Sequence, residues 1–292
     1  MTTALVLGGG GVTGIAWHLG VLLGLQRAGV PLGGAETIVG TSAGSVVGTL
    51  LAAGVDLEAA VALQQIEAPP RAGGPSGGSA RTGAAGGGAV GGSMGRVMAA
   101  FAVLADPSVP PQQARAQVGA LALAAPNQDE ATYLARMEPL VPVRDWPADR
   151  DLRLVVVDAV TGEDVVLDRA SGAPLLRAVS ASCAVPGLMP PVTIGDRRYI
   201  DGGVRVGAGA DLAAGADHLV VLAPMAALSR DRILAEMAAT GAGKTLLIEP
   251  DQAALEDFGP NFMDASRRVV AVRAGLRQGE ELADQARAVW PA

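Results

Sequence analysis

The sequence predicts an α/β protein with a mainly parallel central sheet and helices packed on its faces. Two observations carry this expectation. Close to the start, two short apolar runs each pass through a glycine-containing turn into a segment whose apolar residues recur at helical spacing, and consecutive strand–turn–helix units pair as parallel strands. The chain is also long and apolar enough to bury a large core, with 292 residues, 50% of them hydrophobic and 17% charged. One domain is expected over 1–292, carrying a flexible glycine-rich insertion at 71–95.

The elements follow in order. Residues 4–7 form an apolar run ending in glycine, which predicts a buried strand. Ile15, Leu19, Leu22 and Leu23 mark a helix over 15–27, stopped by Gly29 and Pro31. Residues 37–39 are a second strand, leading through "GTSAGS" into a helix that ends at Gly54. The stretch 71–95, "RAGGPSGGSARTGAAGGGAVGGSMG", has too little apolar mass to offset its ordering entropy and is expected to be mobile, as a plain loop rather than a lid. Residues 96–137 read as mainly helical, with a break near Pro107 to Pro111. Two hairpins are expected, over 152–168 with its turn at Thr161-Gly162, and over 192–201 with its turn at Gly195-Asp196. Between them "APLLRAVSASCAVPG" predicts a helix closed by Pro186-Gly187. "HLVVLAP" and "TLLIEP" are further short strands, and 262–290 reads as closing helix.

Composition removes several function classes. A net charge of −7 leaves no basic stripe for nucleic acid and disfavours polybasic recruitment to an anionic membrane. The single cysteine, Cys183, permits no intrachain disulfide and no cysteine-based zinc site, and it fits a reducing compartment. The start "MTTALVLGG" lacks a basic leader, and no apolar run is long enough to span a bilayer, so a cytoplasmic protein is expected. His18 and His218 are the two histidines, which restricts any mechanism that needs an imidazole base.

The opening turn admits three uses. Gly9, Gly11 and Gly14 fit the G-x-G-x-x-G of dinucleotide sites, but such a site also needs an acidic residue at the end of the next strand. Glu36 precedes that strand, and Gly40-Thr41-Ser42 occupy its end. A nucleoside triphosphate could use "GAGKT" at 241–245, yet the first glycine of the P-loop pattern is Ala238, and this segment precedes a strand instead of opening a helix. The third use takes both turns together. Gly40-Thr41-Ser42-Ala43-Gly44 fits G-x-S-x-G between strand and helix, the context of a nucleophile elbow. The neighbouring glycine turn then supplies backbone N–H groups to a developing oxyanion. A serine nucleophile needs a base. His18 reads as a packed helix residue and His218 as the start of a strand. Asp201, in "RRYIDGG", stands at a strand end before two glycines, where an aspartate serving only the turn would look the same.

Taken together, the glycine turn, Ser42 and Asp201 resemble the patatin-like phospholipase family. Its pattern is G-G-G-x-R/K-G, then G-x-S-x-G, then D-G-G/A. Here these are Gly9-Gly10-Gly11-Val12-Thr13-Gly14, Gly40 to Gly44, and Asp201-Gly202-Gly203. "SASCAVPGLMPPV" is similar to the family's segment ahead of the DGG strand, and the order holds over 4–224. The resemblance implies a three-layer α/β/α fold, Ser42 as nucleophile, Asp201 as its base without histidine, and an oxyanion hole at Gly9, Gly10 and Gly11. It implies a lipid or acyl-ester substrate met by transient contact with a membrane surface. Too few His and Cys for a transition-metal site, and carboxylates without the loop spacing of a calcium site, predict no metal or other cofactor. Thr13 departs from the family's Arg or Lys, which removes a cation near the turn. An acyltransferase or thioesterase on the same dyad, or a weakly catalytic lipid-binding regulator, would share these motifs.

Overall fold

The structure is a computed structural model that describes residues 1–66 and 88–291. Its first half is β1 (Thr3–Leu7), α1 (Gly11–Arg27), β2 (Thr37–Thr41), α2 (Ala43–Ala52), α3 (Leu57–Gln65), α4 (Gly88–Leu104), α5 (Pro111–Ala124) and α6 (Glu130–Met137). The middle is β3 (Asp151–Asp158), β4 (Asp164–Leu167), α7 (Leu175–Ser182), β5 (Val192–Ile194) and β6 (Arg197–Asp201). The chain closes with β7 (His218–Leu222), α8 (Arg230–Ala239), β8 (Lys244–Ile248), α9 (Gln252–Phe258), α10 (Arg268–Glu281) and α11 (Ala283–Val289).

All eight strands join one sheet in the order β5-β6-β3-β2-β1-β7-β8, with β4 also paired to β3. The run from β3 to β8 is parallel, and β4, β5 and β6 are antiparallel additions at one side. The period-2 pleat of the strands separates two faces. Leu5, Leu7, Leu154, Val156, Val220 and Leu222 point into the larger core, which includes Trp17 of α1 and Val272 of α10. Ala4, Val6, Val155, Leu219 and Val221 point to the opposite face, against Ile233 and Met237 of α8. Val157 and Ile200 meet α4 and α5 through Ala100, Val118 and Ala122. Helices therefore cover both faces of the sheet, giving the three-layer α/β/α fold.

Strand and hairpin positions agree with the sequence-based expectation, while several helix ends differ for identifiable reasons. The first helix starts at Gly11, not residue 15, because helical backbone begins inside the glycine turn itself. The helix expected to run to Gly187 stops at Ser182, where the chain leaves it to meet β6: the Asp201 N–H donates to the Ala184 carbonyl at 3.0 Å. The closing helix is divided. The Asp264 side chain caps a short turn ahead of α10, and a break at Leu282 separates α10 from α11. Most of the insertion expected to be flexible at 71–95 lies outside the described residues. Its last part, 88–95, is not a loop but the first turns of α4. The far half of that helix is anchored by buried Val97 and Ala100, and once a turn is formed extension adds one hydrogen bond per residue.

Candidate active site

β1 and β2 lie side by side with Leu7 opposite Gly40, so both end at the same sheet edge and both feed a helix there. The N-termini of α1 and α2, each with unpaired N–H groups and a positive dipole end, converge on one spot. Ser42 occupies the tight turn between β2 and α2 at φ 53°, ψ −117°. Positive φ is costly for a residue with a Cβ and persists only where the surroundings enforce it. The flanking glycines show how. A Cβ on Gly44 would lie 1.9 Å from the Leu7 carbonyl oxygen, and one on Gly40 would lie 2.7 Å from the Gly44 carbonyl oxygen. Only glycine lets α2 press this closely on β1, and that pressure produces the elbow.

The glycine turn faces the serine. A Cβ placed on Gly9 would sit 3.6 Å from the Ser42 Cβ. Gly8 donates to the Leu222 carbonyl, Thr13 to the Phe262 carbonyl and Gly14 to the Gly10 carbonyl. Between them, the N–H groups of Gly9, Gly10 and Gly11 have no acceptor among the described residues. Thr13, where the resemblance notes a missing cation, is fully buried, and its hydroxyl points to the Phe262 carbonyl at 3.4 Å. This position faces the loop ahead of α10.

Asp201 comes to the same place from β6, paired opposite Val156 of β3. Its carboxyl is 5% exposed in residue terms, and Oδ1 accepts the Gly203 N–H at 2.7 Å. Burial pushes its pKa up to about 6, while the Gly203 N–H and the Ser42 hydroxyl pull it back down. Oδ2 has no hydrogen-bond partner among the described residues. Two other titratable groups stand near Asp201. Burial raises the Cys183 thiol to about 12 and raises Tyr133, and the Asp201 charge reinforces both, so each stays protonated at neutral pH.

The segment leaving Asp201 is anchored. Arg205 pairs with Asp164 at 2.7 Å and Asp211 at 2.5 Å, and one oxygen of buried Glu236 accepts the N–H groups of Ala208, Gly209 and Ala210.

Neither histidine joins the site. His18 is fully buried in α1 with Nε2 3.3 Å from the Leu222 carbonyl, and burial lowers its pKa to about 4. His218 opens β7 beside Thr3, at the opposite edge of the parallel strands, with Nδ1 2.5 Å from the Val289 carbonyl. Lys244 and Thr245 of the "GAGKT" segment lie in β8, and no helix opens after the lysine.

What sequence spacing did not reveal is the part played by residues 182–184. Ser182 Oγ accepts the Ser42 N–H at 3.0 Å, and the Cys183 thiol donates to the Ser42 carbonyl at 3.2 Å. These residues lie in the "SASCAVPGLMPPV" segment noted for its resemblance, but small residues at a helix end do not by themselves state such contacts.

The structure thus brings together a strained serine at a strand–helix elbow, a glycine turn and a buried carboxyl. Residues 5–214 match the family described as patatin-like phospholipase, and the chain belongs to that family. It is thereby placed among the lipid acyl hydrolases. Among curated proteins none matches the chain significantly. Among solved structures it is similar to VipD from Legionella pneumophila, with 16% identity and a TM-score of 0.45, over 98% of this chain and 67% of that one. It is also similar to ExoU in the ExoU–SpcU complex of Pseudomonas aeruginosa, with 15% identity and a TM-score of 0.42, over 98% of this chain and 52% of that one. The chain thus spans about two thirds of the first and half of the second. Among the described residues, no helix is long and apolar enough to cross a membrane.

Proposed function

We propose that the chain hydrolyses lipid acyl esters through a Ser42–Asp201 dyad and an acyl-enzyme intermediate. The observation that carries this is a positive-φ serine and a buried aspartate whose peptide groups are gripped by the consecutive residues 182–184, with both histidines placed elsewhere. Asp201 takes the proton of the Ser42 hydroxyl as Oγ attacks the ester carbonyl. The carbonyl oxygen becomes an oxyanion and meets the N–H groups of Gly9, Gly10 and Gly11, which need no reorganisation to receive it. Collapse of this intermediate expels the alcohol, which takes the proton back from Asp201, and leaves the acyl group on Ser42. Water, deprotonated by Asp201, then attacks the ester, and collapse releases the fatty acid while Asp201 returns the proton to the departing Ser42 oxygen. Gly40 and Gly44 hold the elbow. The chemistry draws on no metal or cofactor, so EDTA should leave the rate unchanged. The lone cysteine fits action in the reducing cytoplasm, with transient contact to a lipid surface.

The test is labelling with a fluorophosphonate, together with ester hydrolysis by Ser42→Ala and Asp201→Ala. Each variant should stay folded and lose at least a hundredfold in kcat. The double variant should be little worse than either single one, because the two groups act as a unit. Near wild-type turnover in Asp201→Ala would refute the dyad.

A further inference from the structure

We propose that Ser182 is a positioning residue that holds the Ser42 elbow in its reactive conformation and in register with Asp201. This rests on the dyad described above.

Four hydrogen bonds hold the Ser42 peptide groups. Two come from Ser45, whose N–H and hydroxyl reach the Ser42 carbonyl at 2.8 and 2.7 Å. These lie within the first turn of α2 and would travel with that turn if it shifted. The other two come from the end of α7, about 140 residues away in sequence. Ser182 Oγ accepts the Ser42 N–H, and the Cys183 thiol donates to the Ser42 carbonyl. The very next residue, Ala184, accepts the Asp201 N–H. Three consecutive residues therefore grip the nucleophile's N–H, the nucleophile's carbonyl and the base's N–H. They act as a ruler between Ser42 and Asp201, tying the two together by bonds outside the sheet.

Ser182 is fully buried, so it meets neither substrate nor solvent, and any effect it has must pass through Ser42. Without its oxygen the buried Ser42 N–H would have no acceptor, which is costly enough to drive a rearrangement. The available rearrangement is rotation of the 41–42 peptide away from positive φ. It would relieve the strain and swing Oγ off the line to Asp201. A misplacement of about 1 Å at a reacting atom can cost roughly a hundredfold in rate. A second consequence concerns the oxyanion. The Ser42 N–H is already engaged, so stabilisation falls to the glycine turn and the start of α2.

The end of α7 is itself supported. The Tyr133 hydroxyl donates to the Ser180 carbonyl at 2.9 Å, two residues before the grip. α6 thus fixes the height at which Ser182 and Cys183 are presented.

The experiment compares Ser182→Ala, Ser182→Thr and Ser182→Val by soluble-ester kinetics, with kcat normalised to sites titrated by fluorophosphonate. Thr and Val have nearly the same volume, so their contrast isolates the hydroxyl and decides the matter even if Ser182→Ala does not fold. The expected result is a loss of at least tenfold in kcat per titrated site for Ala and Val, KM within twofold, and recovery by Thr to within threefold of wild type. Equal impairment of Thr and Val would overturn the proposal, because volume and not the hydroxyl would then be at work. So would Ala and Val variants that melt earlier yet keep wild-type kcat per titrated site. Ser42→Ala, assayed per mole of folded protein because it has no serine to titrate, separates the two levels: if it retains activity, the dyad itself fails, whereas an inactive Ser42→Ala beside an unaffected Ser182→Val overturns only the positioning role.

Discussion

Asp201 carries two opposed demands. As a base it must be ionised, yet its burial favours the neutral acid and pushes its pKa to about 6. The rate should follow the ionised fraction, so kcat/KM for a soluble ester should rise tenfold per pH unit below about 6 and level off above it. A profile flat to pH 4.5 would contradict this. The same shift acts on folding. An aspartate whose pKa rises from 3.8 on folding binds more protons in the native state, so its contribution to stability falls as pH rises from about 4 through 6. Asp201→Asn removes the buried charge and keeps an oxygen for the Gly203 N–H. It should be inactive yet more stable than wild type above pH 7, by about 3 kcal/mol from roughly two pKa units. The difference in melting temperature should shrink to nothing near pH 4. His18 has the opposite sign. Its pKa drops on folding to about 4, so the unfolded chain binds the extra proton and stability falls as pH drops from 6.5 toward 4. Acid melting of Asp201→Asn should therefore be steeper than that of wild type over this interval.

At the scale of elements, the glycine turn is held from behind by α10. Gly20 and Gly24 of α1 face Gly275 and Gly279 of α10, and the helices touch backbone to backbone. A Cβ on Gly20 would lie 2.3 Å from the Val272 carbonyl oxygen, and one on Gly275 would lie 2.4 Å from the Trp17 carbonyl oxygen. Trp17 adds a bond from Nε1 to Gln278 Oε1 at 2.8 Å and an edge-on contact to Phe258, which in turn packs edge-on against Phe262. The Phe262 carbonyl then accepts the Thr13 N–H at 3.1 Å, in the first turn of α1. Gly20→Ala would force these helices apart, and overpacking of this kind costs about 2–3 kcal/mol. Gly34→Ala is the control, since nothing lies within 4 Å of its Cβ position, and it should change stability by less than about 0.5 kcal/mol. Chemical denaturation of both variants checks the pair. An unaffected Gly20→Ala would show that the helices have room to spare.

At the scale of the molecule, the family match ends at residue 214, but the sheet and the support of the site continue past it. β7 pairs with β1 along its whole length, from Thr3 opposite His218 to Leu7 opposite Leu222. Residues 215–292 thus supply the strand beside the glycine turn and the helix behind α1. A chain cut at 214 would leave β1 an open edge and α1 an uncovered apolar face, so it should fail to melt cooperatively, whereas the full chain should unfold in one transition. Calorimetry on both chains decides this, and a stable, active 1–214 fragment would show that the C-terminal part is dispensable.

The sequence by itself determined the fold class, the strands and the elbow. These are local: a short apolar run ending in glycine states a buried strand and its turn, and G-x-S-x-G between strand and helix leaves the backbone few ways to go. Only the tertiary structure decided what surrounds Ser42. The Ser182 hydroxyl, the Cys183 thiol and the Ala184 carbonyl sit about 140 residues from the elbow, and nothing in their spacing distinguishes them from any small residues at a helix end. The end of α7 at Ser182 had the same origin, because the chain gives up helical bonds there to meet Asp201. The close fit of Gly20 and Gly24 to Gly275 and Gly279 likewise exists only once α10 lies against α1. A contact made across the sheet leaves no periodic mark in either segment, since each need only be small or polar at one position, and so only the folded chain displays it.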